Sequence, residues 1–529
     1  MPGVNEDRDR QVVPLWRSFE TTIRRGELAP LTTARGDRFS DEMLSGLLDD
    51  YKAFPTPSVA SDLVSAAFTL GRYSIAKDAA RFILSSDSGT PAARSIAAMF
   101  LDKTELFPGV ITEAETADIS TLLDHLHGGV RQIRMKLRAY PRNPVLWMNL
   151  ARLYTSLGHQ EKAKQAMRIA LAMAPQNRFV LRAASRFYLH LGWADHAHWL
   201  LAKAPNIKSD PWVLAAEIAT AAASHNTSRF VKTGRRILEL QRQPPFHLSE
   251  LASALGTLES LAGNFKAAKN LINFSLQQPA ENSIAQAAWI SRRINATLVT
   301  GTSPTESFEA NAWFASKAGK WKLALEQAER WQTDQPFSSR PAMFGSHLAS
   351  AVAEDYDLAV AFAKQGILSN PDDFPLQNNL AFSFAMRGDL AEAQKVMRKI
   401  NIKGLSNVER IFFDATNGLI AFRSGDPEAG RVLYRAAIDL GNRIGNGSQK
   451  IARIYYALEE LRIQSAEAET TRLHALNEAT TLTEHWQVAL VERLKRYKAG
   501  LKVARPGSQG QPPAPSGERA VADRRETLW

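Results

Sequence analysis

The sequence of 529 residues contains no cysteine. Disulfide bonds, thiolate zinc sites and a cysteine nucleophile are therefore excluded. No run of about 18 apolar residues occurs, so we expect no membrane-spanning helix and no membrane partner. The first twenty residues are charged throughout and lack the apolar core of a signal peptide. Together these absences favour a cytoplasmic protein.

The sequence also lacks the short motifs of common enzyme sites, such as a P-loop, a nucleophile elbow or HExxH. Two histidine pairs, His125 with His127 and His196 with His198, are spaced i, i+2. On a helix this spacing does not direct two side chains at one ion. We therefore predict no catalytic residues, no metal site and no cofactor, which means that the protein is not an enzyme.

A regular pattern of large and small apolar residues is present instead. Four residues at i, i+3, i+4 and i+7 form one helical face: Trp147, Leu150, Ala151 and Tyr154. A glycine follows, and a second helical face precedes a proline: Gly158, then Ala163, Met167 and Ala170, then Pro175. Glycine permits the positive φ of a tight turn, and proline ends a helix. The stretch therefore predicts a helical hairpin whose small residues allow close packing.

This order of residues resembles the tetratricopeptide repeat, a helical hairpin of 34 residues. The pattern recurs along the chain, with turn glycines in the order Gly158, Gly192, Gly263, Gly319, Gly388 and Gly425. The unit near 212–243 lacks this glycine. The resemblance implies an all-α fold, an α-solenoid superhelix of stacked helix-turn-helix repeats, because one hairpin cannot bury its apolar face alone.

Four regions are predicted from these patterns. Residues 1–56 would form an N-terminal helical cap, and 57–445 the repeat array, which is clearest at 143–205 and 306–400. Residues 446–502 would form C-terminal capping helices, since a solenoid must cover its last apolar face. Residues 503–529 are rich in proline and glycine and favour disorder.

The resemblance also implies which residues line the concave groove, because the first helix of each repeat faces it. The predicted partner-binding residues are Met148, Arg152, Thr155, Arg182, Arg186, His190, Phe344 and Asn378. Arg152, Arg182 and Arg186 would lie close together and could hold a carboxylate or phosphate. The alternative interpretation is that these arginines belong to a solvated face.

The formal net charge of +11 leaves a second class of partner open. A basic stripe on a second helix is a possible nucleic-acid site: Arg229, Lys232, Arg235 and Arg236. Aromatic residues that could stack on bases are not interleaved with it in the sequence. The favoured function is a protein-interaction scaffold or adaptor that binds a peptide or helix in the groove, where the arginines could hold an acidic group of that partner. The alternative is an RNA- or DNA-binding module that serves a nuclease or transcription complex. The sequence does not predict the oligomeric state.

Overall fold

A computed structural model describes residues 10–24, 41–69, 75–86, 93–94, 97, 101, 121–291 and 307–497. The described part of the chain is helical and contains no strand, which confirms the predicted all-α fold. The tail predicted as disordered, 503–529, lies outside the described residues. The other domain boundaries stay a prediction.

Fourteen described helices precede residue 291. They are α1 Phe19–Arg24, α2 Asp41–Ala53, α3 Pro57–Thr69, α4 Lys77–Ser85, α5 Leu122–Ala139, α6 Pro144–Ser156, α7 Gln160–Met173, α8 Arg178–His190, α9 Ala194–Ala202, α10 Pro211–Ala223, α11 Val231–Leu240, α12 Pro245–Leu261, α13 Phe265–Ser275 and α14 Glu281–Ile290.

Eleven described α-helices follow residue 307. They are α15 Phe308–Lys317, α16 Trp321–Asp334, α17 Ser339–Leu348, α18 Tyr356–Ser369, α19 Phe374–Arg387, α20 Leu390–Met397, α21 Asn407–Arg423, α22 Pro427–Ile444, α23 Ser448–Ile463, α24 Ala468–Glu478 and α25 His485–Arg496. A π-helical turn, Ala349–Ala353, extends α17.

Several first helices begin with the same local chemistry. The Asn143 side-chain oxygen accepts hydrogen bonds from the main-chain N–H groups of Val145 and Leu146, and Pro144 occupies the first helical position. Similar caps begin α8, α10 and α19 at Asn177, Asp210 and Asp373. An Asn or Asp cap satisfies N–H groups that have no partner within the helix, so each repeat marks its own start.

The predicted turn glycines are confirmed, because all six have φ between 69° and 102°. Two units have no glycine at this turn, and His225 and Glu354, each with φ of 56°, lie there instead. The hairpin therefore requires the left-handed turn whether or not a glycine occupies it. Non-glycine residues adopt it at a steric cost.

The first helices of successive hairpins pack side by side and form an inner row. The row runs α6, α8, α10, α12, α14 in the first part and α17, α19, α21, α23 in the second. The array also closes on itself, because α18 contacts α6. There the Ser369 hydroxyl donates a hydrogen bond of 2.9 Å to the Ser156 carbonyl, although 213 residues separate them. A Cβ on Gly158 would lie 2.2 Å from the Leu368 carbonyl oxygen, so the turn fits tightly against this chain.

Both ends of the described chain fold back onto the array. Residues 10–19 are named here the N-terminal segment; they form no helix before Phe19, where α1 begins, although helices were predicted there. At the other end α25 contacts α15 and the π-helical turn. Its Trp486 ring meets His347 edge-on at 4.6 Å, and Arg493 donates a hydrogen bond of 3.3 Å to the Tyr356 hydroxyl.

Candidate functional site

The N-terminal segment lies inside the curve of the array. It runs along the inner row from α14 and α15, where Arg10 bonds Asn282 and Glu309, to α6, where Phe19 bonds Asn149. We call the space that it fills the channel, lined by α6, α8, α10, α12, α14, α15 and α16. The concave face of the array is therefore occupied by the protein's own chain.

Side-chain amides bind the main chain of this segment at three places. The Asn282 Nδ2 group donates to the Val13 carbonyl at 2.9 Å, and the Gln286 Nε2 group donates to the Arg10 carbonyl at 2.8 Å. The Asn149 Oδ1 atom accepts from the Phe19 N–H at 3.1 Å. An amide side chain both donates and accepts, so it can pair with any extended main chain regardless of sequence.

Two arginines of the segment are bound by carboxylates of the channel wall. Arg10 donates to both oxygens of Glu309, at 3.0 and 2.9 Å, and Arg17 donates from Nε to both oxygens of Asp334, at 2.7 and 2.8 Å. Arg17 also pairs with Glu281. Arg10 is 5% and Arg17 3% exposed. Because a buried charge is costly unless it is paired, these ion pairs select arginine at both places.

The apolar side chains of the segment complete the fit. Trp16 is fully buried, and its ring lies 5.8 Å from that of Phe187 and 5.2 Å from that of Phe337. From Arg10 to Trp16, buried and half-buried residues alternate. This period of two is that of an extended chain with one side directed at a wall. Val12 belongs to the same apolar cluster as residues of α8, α10 and α12.

Charges of the wall remain paired at low dielectric. Burial raises the pKa of Glu309, but the guanidinium groups of Arg10 and Arg340 outweigh it and hold that pKa at about 2. Burial lowers the pKa of Arg186 to about 10, and the nearby Arg340 acts in the same direction. Glu309 is therefore an anion and Arg186 a cation at neutral pH, and both act as fixed charges of the channel.

The three arginines predicted to hold an acidic group lie in the channel wall, but the chain already uses them. The Arg182 Nη1 group donates to Glu250 at 2.8 Å and to the Trp212 carbonyl at 2.9 Å. The Arg186 guanidinium lies 5.0 Å from the centre of the Phe337 ring. Arg152 is 1% exposed. No open cationic surface results, because each of the three is buried or covered by protein.

The other predicted groove residues are distributed between the channel and the core. Met148 is fully buried in the same cluster as Trp16, and the Thr155 hydroxyl donates to the Ala151 carbonyl at 2.8 Å. His190 meets Phe337 edge-on at 5.7 Å, and burial lowers its pKa to about 4. In the second part of the array, Phe344 packs on Trp313 at 4.7 Å between the rings, and Asn378 is fully buried.

The sequence reasoning did not identify the residues that hold the segment. These are Asn149, Glu281, Asn282, Gln286, Glu309 and Asp334. Asn149, Asn282 and Gln286 are polar residues on apolar inner helices, which is a usable signal for a site. The sequence of residues 281–304 matches only half of the repeat pattern, so the pattern does not indicate which of them face inward.

The basic stripe lies on the opposite, outer side of the hairpins. Lys232, Arg235 and Arg236 are exposed on α11, and Arg229 is exposed just before it. Arg235 pairs with Glu259. Among the described residues no group of three His, Asp or Glu side chains could hold a metal ion. No described helix is long and apolar enough to cross a bilayer.

Comparisons with known proteins agree with the repeat pattern. Residues 145–177 match the family model of the tetratricopeptide repeat, which confirms the resemblance at the stretch where the pattern is densest. A comparison with curated proteins finds no match. The chain therefore contains a tetratricopeptide repeat within an all-α helical-repeat fold.

Three solved structures illustrate the likeness to other helical chains. The human IFIT1 dimer with PPP-AAAA is 13% identical over 87% of this chain and 95% of its own, with a TM-score of 0.31. Yeast Tom70 is 13% identical over 86% and 95%, with a TM-score of 0.26. Cut9 with Hcn1 from the APC/C is 12% identical over 90% and 96%, with a TM-score of 0.33. At scores below 0.5 the partners of these proteins say nothing about this chain.

Proposed function

We propose that this tetratricopeptide-repeat chain is a non-enzymatic protein-interaction scaffold whose channel binds an extended polypeptide. One observation carries the proposal: Asn149, Asn282 and Gln286 bond the main chain of an extended segment that lies in the channel. A site that pairs with main-chain groups and has pockets for alternate side chains is built for peptide recognition.

The ligand that fits is basic and aromatic, not acidic. Glu309 and Asp334 each take an arginine, and a ring fits between Phe187 and Phe337. The clamp of Arg152, Arg182 and Arg186 for an acidic partner is not supported by these contacts. A partner would supply an extended segment that carries two arginines seven residues apart and an aromatic residue just before the second.

In this proposal the N-terminal segment competes with the partner for the channel. Its ion pairs and Trp16 are buried, so the partner gains entry only when the segment leaves. The affinity of the partner is then reduced by the fraction of molecules with an open channel. Only an abundant or tightly binding partner therefore displaces the segment.

A labelled peptide of residues 10–24 tests the proposal in trans. It is titrated against the full chain and against a full chain that carries Trp16→Ala and Arg17→Ala, with fluorescence anisotropy as the measurement. The variant should bind the peptide at least tenfold more tightly than the wild-type chain, because its own segment no longer holds the channel. A peptide that carries Arg17→Ala is the matched control and should bind at least tenfold more weakly.

A cleavable form of the chain tests the same proposal if the double variant does not fold. A protease site inserted between residues 25 and 40 leaves the segment unaltered and separates it from the array by cleavage. Excess labelled peptide should then replace it. Absence of exchange in the cleaved chain, together with absence of binding to a folded double variant, would show that the segment is a permanent part of the core.

A further inference from the structure

Four aromatic rings form a contiguous series on the outer side of α8 and α9. Tyr188 stacks with Trp193 at 6.0 Å and an interplanar angle of 14°, and meets His196 edge-on at 4.3 Å. His196 stacks with Trp199 at 5.7 Å and 20°. We name these four residues the aromatic ladder. Trp193 is 43% and Trp199 52% exposed, although large aromatic residues normally bury most of their surface.

Each exposed ring of the ladder has a lysine over it. The Lys164 Nζ atom lies 5.3 Å from the centre of the Trp193 ring, and the Lys203 Nζ atom lies 4.5 Å from that of Trp199. A cation over an exposed ring contributes little stability and can be displaced. Lys164 also pairs with Glu161 at 2.8 Å. When a flat ligand takes the place of Lys203 on Trp199, the Lys203 ammonium group can pair with an anionic group beside that ring.

The basic stripe continues the ladder. Arg229, its first member, donates from Nη2 to the Ala202 carbonyl at 3.4 Å, and Ala202 directly precedes Lys203. Within the stripe itself Phe230 is buried, and the Arg229 guanidinium lies 4.9 Å from the centre of its ring. Folding brings Arg229 to the C-terminal end of α9, the helix that carries Trp199, because Ala202 is the last residue of that helix.

The charge of this outer face is strongly one-sided. Between residues 159 and 242, nine lysine and arginine residues are exposed: Lys162, Arg168, Lys203, Lys208, Arg229, Lys232, Arg235, Arg236 and Arg242. Only three acidic residues in the same range are exposed: Glu161, Asp195 and Glu239. Such a face attracts a polyanion and repels a basic one.

We propose that the aromatic ladder and the basic stripe together bind single-stranded nucleic acid. Trp193 and Trp199 stack on unpaired bases, and Lys203, Arg229, Lys232 and Arg236 pair with the phosphates that follow. Flat rings next to cations are what a single strand needs, since every base has a π-face and every nucleotide a charge. An acidic protein fits less well, because a protein hot spot needs surrounding contacts that exclude water, and the two exposed rings are bordered by solvated charges instead. The site is independent of the channel, which lies on the inner side.

Binding of labelled twelve-nucleotide oligo(U) and oligo(dT) to the full chain, followed by anisotropy at low salt, tests this site. The paired change Trp193→Ala and Trp199→Ala should weaken binding at least tenfold, since one stacked base contributes roughly five- to hundredfold. Both side chains are exposed, so circular dichroism should be unchanged. Phe265→Ala is the matched control: this ring is 50% exposed on α13, away from the ladder, and its loss should leave affinity unchanged.

The salt dependence of the binding affinity reports on the basic stripe separately from the ladder. The paired change Lys232→Ala and Arg236→Ala should weaken binding and lower the slope of log affinity against log salt by about 1.4, or about 0.7 for each phosphate contact. Equal affinity for oligo(U) and oligo(dT) fits recognition by stacking and charge, and a preference for oligo(U) fits added contacts to the 2′-hydroxyl.

Three results would overturn the proposal. The first is no binding at low salt. The second is binding that the double tryptophan change leaves intact. The third is equal binding of duplex DNA or of polyglutamate, because a duplex offers no free base and polyglutamate offers only charge. Each of these results leaves the channel proposal untouched, since the two sites share no residue.

Discussion

At the scale of single residues, the turn between the two helices of a hairpin shows what the sequence can reveal. Six glycines at equal places in the pattern predicted six left-handed turns, and all six are present. The unit near 212–243 departs from the pattern in composition but not in conformation, because His225 adopts the same positive φ. A repeat thus imposes its backbone even where the preferred residue is missing.

His225 therefore offers a simple gain in stability. The side chain is exposed, so its removal loses no packing. A left-handed conformation costs an L-residue about 1–2 kcal/mol, and glycine avoids this cost but loses about 0.5–1 kcal/mol through the entropy of the unfolded chain. His225→Gly should raise the free energy of unfolding by about 0.5–1 kcal/mol.

Urea denaturation followed by circular dichroism measures this change. His225→Ala is the control, because it removes the imidazole and keeps the strain, and it should not stabilise the protein. Equal stabilisation by both changes would show that the imidazole, and not the backbone, is unfavourable at this turn.

At the scale of elements, local sequence rules predict where the helices of the hairpins begin and end. The same rules do not predict the positions of the two terminal elements. Capping residues such as Asn143 and helical faces such as that of Trp147 predict where a hairpin begins and how it packs. Residues 10–17 have no period of 3.6, and the side chains that bond Arg10, Val13 and Arg17 lie 264 or more residues away in sequence, at Glu281 and beyond. The composition of the segment gave no indication of those contacts. The predicted partner-binding residues stay a prediction, and several of them, such as Met148 and Asn378, are fully buried.

The last described helix, α25, is a second element whose position depends on distant contacts. Trp486 on His347 and Arg493 on Tyr356 and Glu354 hold it against the array. Arg493 is only 6% exposed, so trypsin should cleave the folded chain slowly after this residue. Trp486→Ala removes a half-buried ring, a loss of roughly 2 kcal/mol.

This change should raise the rate of tryptic cleavage after Arg493 at least tenfold, because cleavage of a locally opened helix follows the population of its open form. Mass spectrometry of the fragments identifies the bond. Val488→Ala is the control on the same helix, since Val488 is 42% exposed and holds nothing in place. If both changes accelerate cleavage equally, the contact with His347 does not hold the helix.

At the scale of the whole molecule, the contact between α6 and α18 makes the array a closed turn instead of an open spiral. A solenoid whose repeats contact only their neighbours has approximately additive stability. Here Ser156 and Ser369 join hairpins that are several repeats apart, and the N-terminal segment joins α6 to α14 and α15. Unfolding should therefore be more cooperative than in an open array of the same length.

Two glycine substitutions separate the effect of the contact between α6 and α18 from the effect of strain in the turn. Gly158→Ala and Gly192→Ala introduce the same backbone strain, since φ is 72° and 77°. The added Cβ lies 2.2 Å from the Leu368 carbonyl oxygen in the first case and meets nothing within 4 Å in the second. We expect both changes to cost about 1–2 kcal/mol for the turn, and Gly158→Ala to separate α6 from α18 as well.

Small-angle scattering and thermal unfolding distinguish the two effects. Gly158→Ala should increase the radius of gyration and broaden the thermal transition, whereas Gly192→Ala should lower the melting temperature without a change in size. Identical scattering curves for the two variants would mean that the turn relaxes locally and that closure does not depend on this contact.

The path of the N-terminal segment also determines the order of events during synthesis. Residues 10–17 leave the ribosome before Glu281, Glu309 and Asp334, the carboxylates that bind their arginines. At 5–20 residues per second, this interval lasts roughly 15 to 60 s. Throughout that time the wall that binds Arg10 and Arg17 is incomplete, although the inner row up to α12 is made before Glu281. Every newly made molecule therefore passes through a period in which this part of the inner row lacks the ion pairs that hold the N-terminal segment.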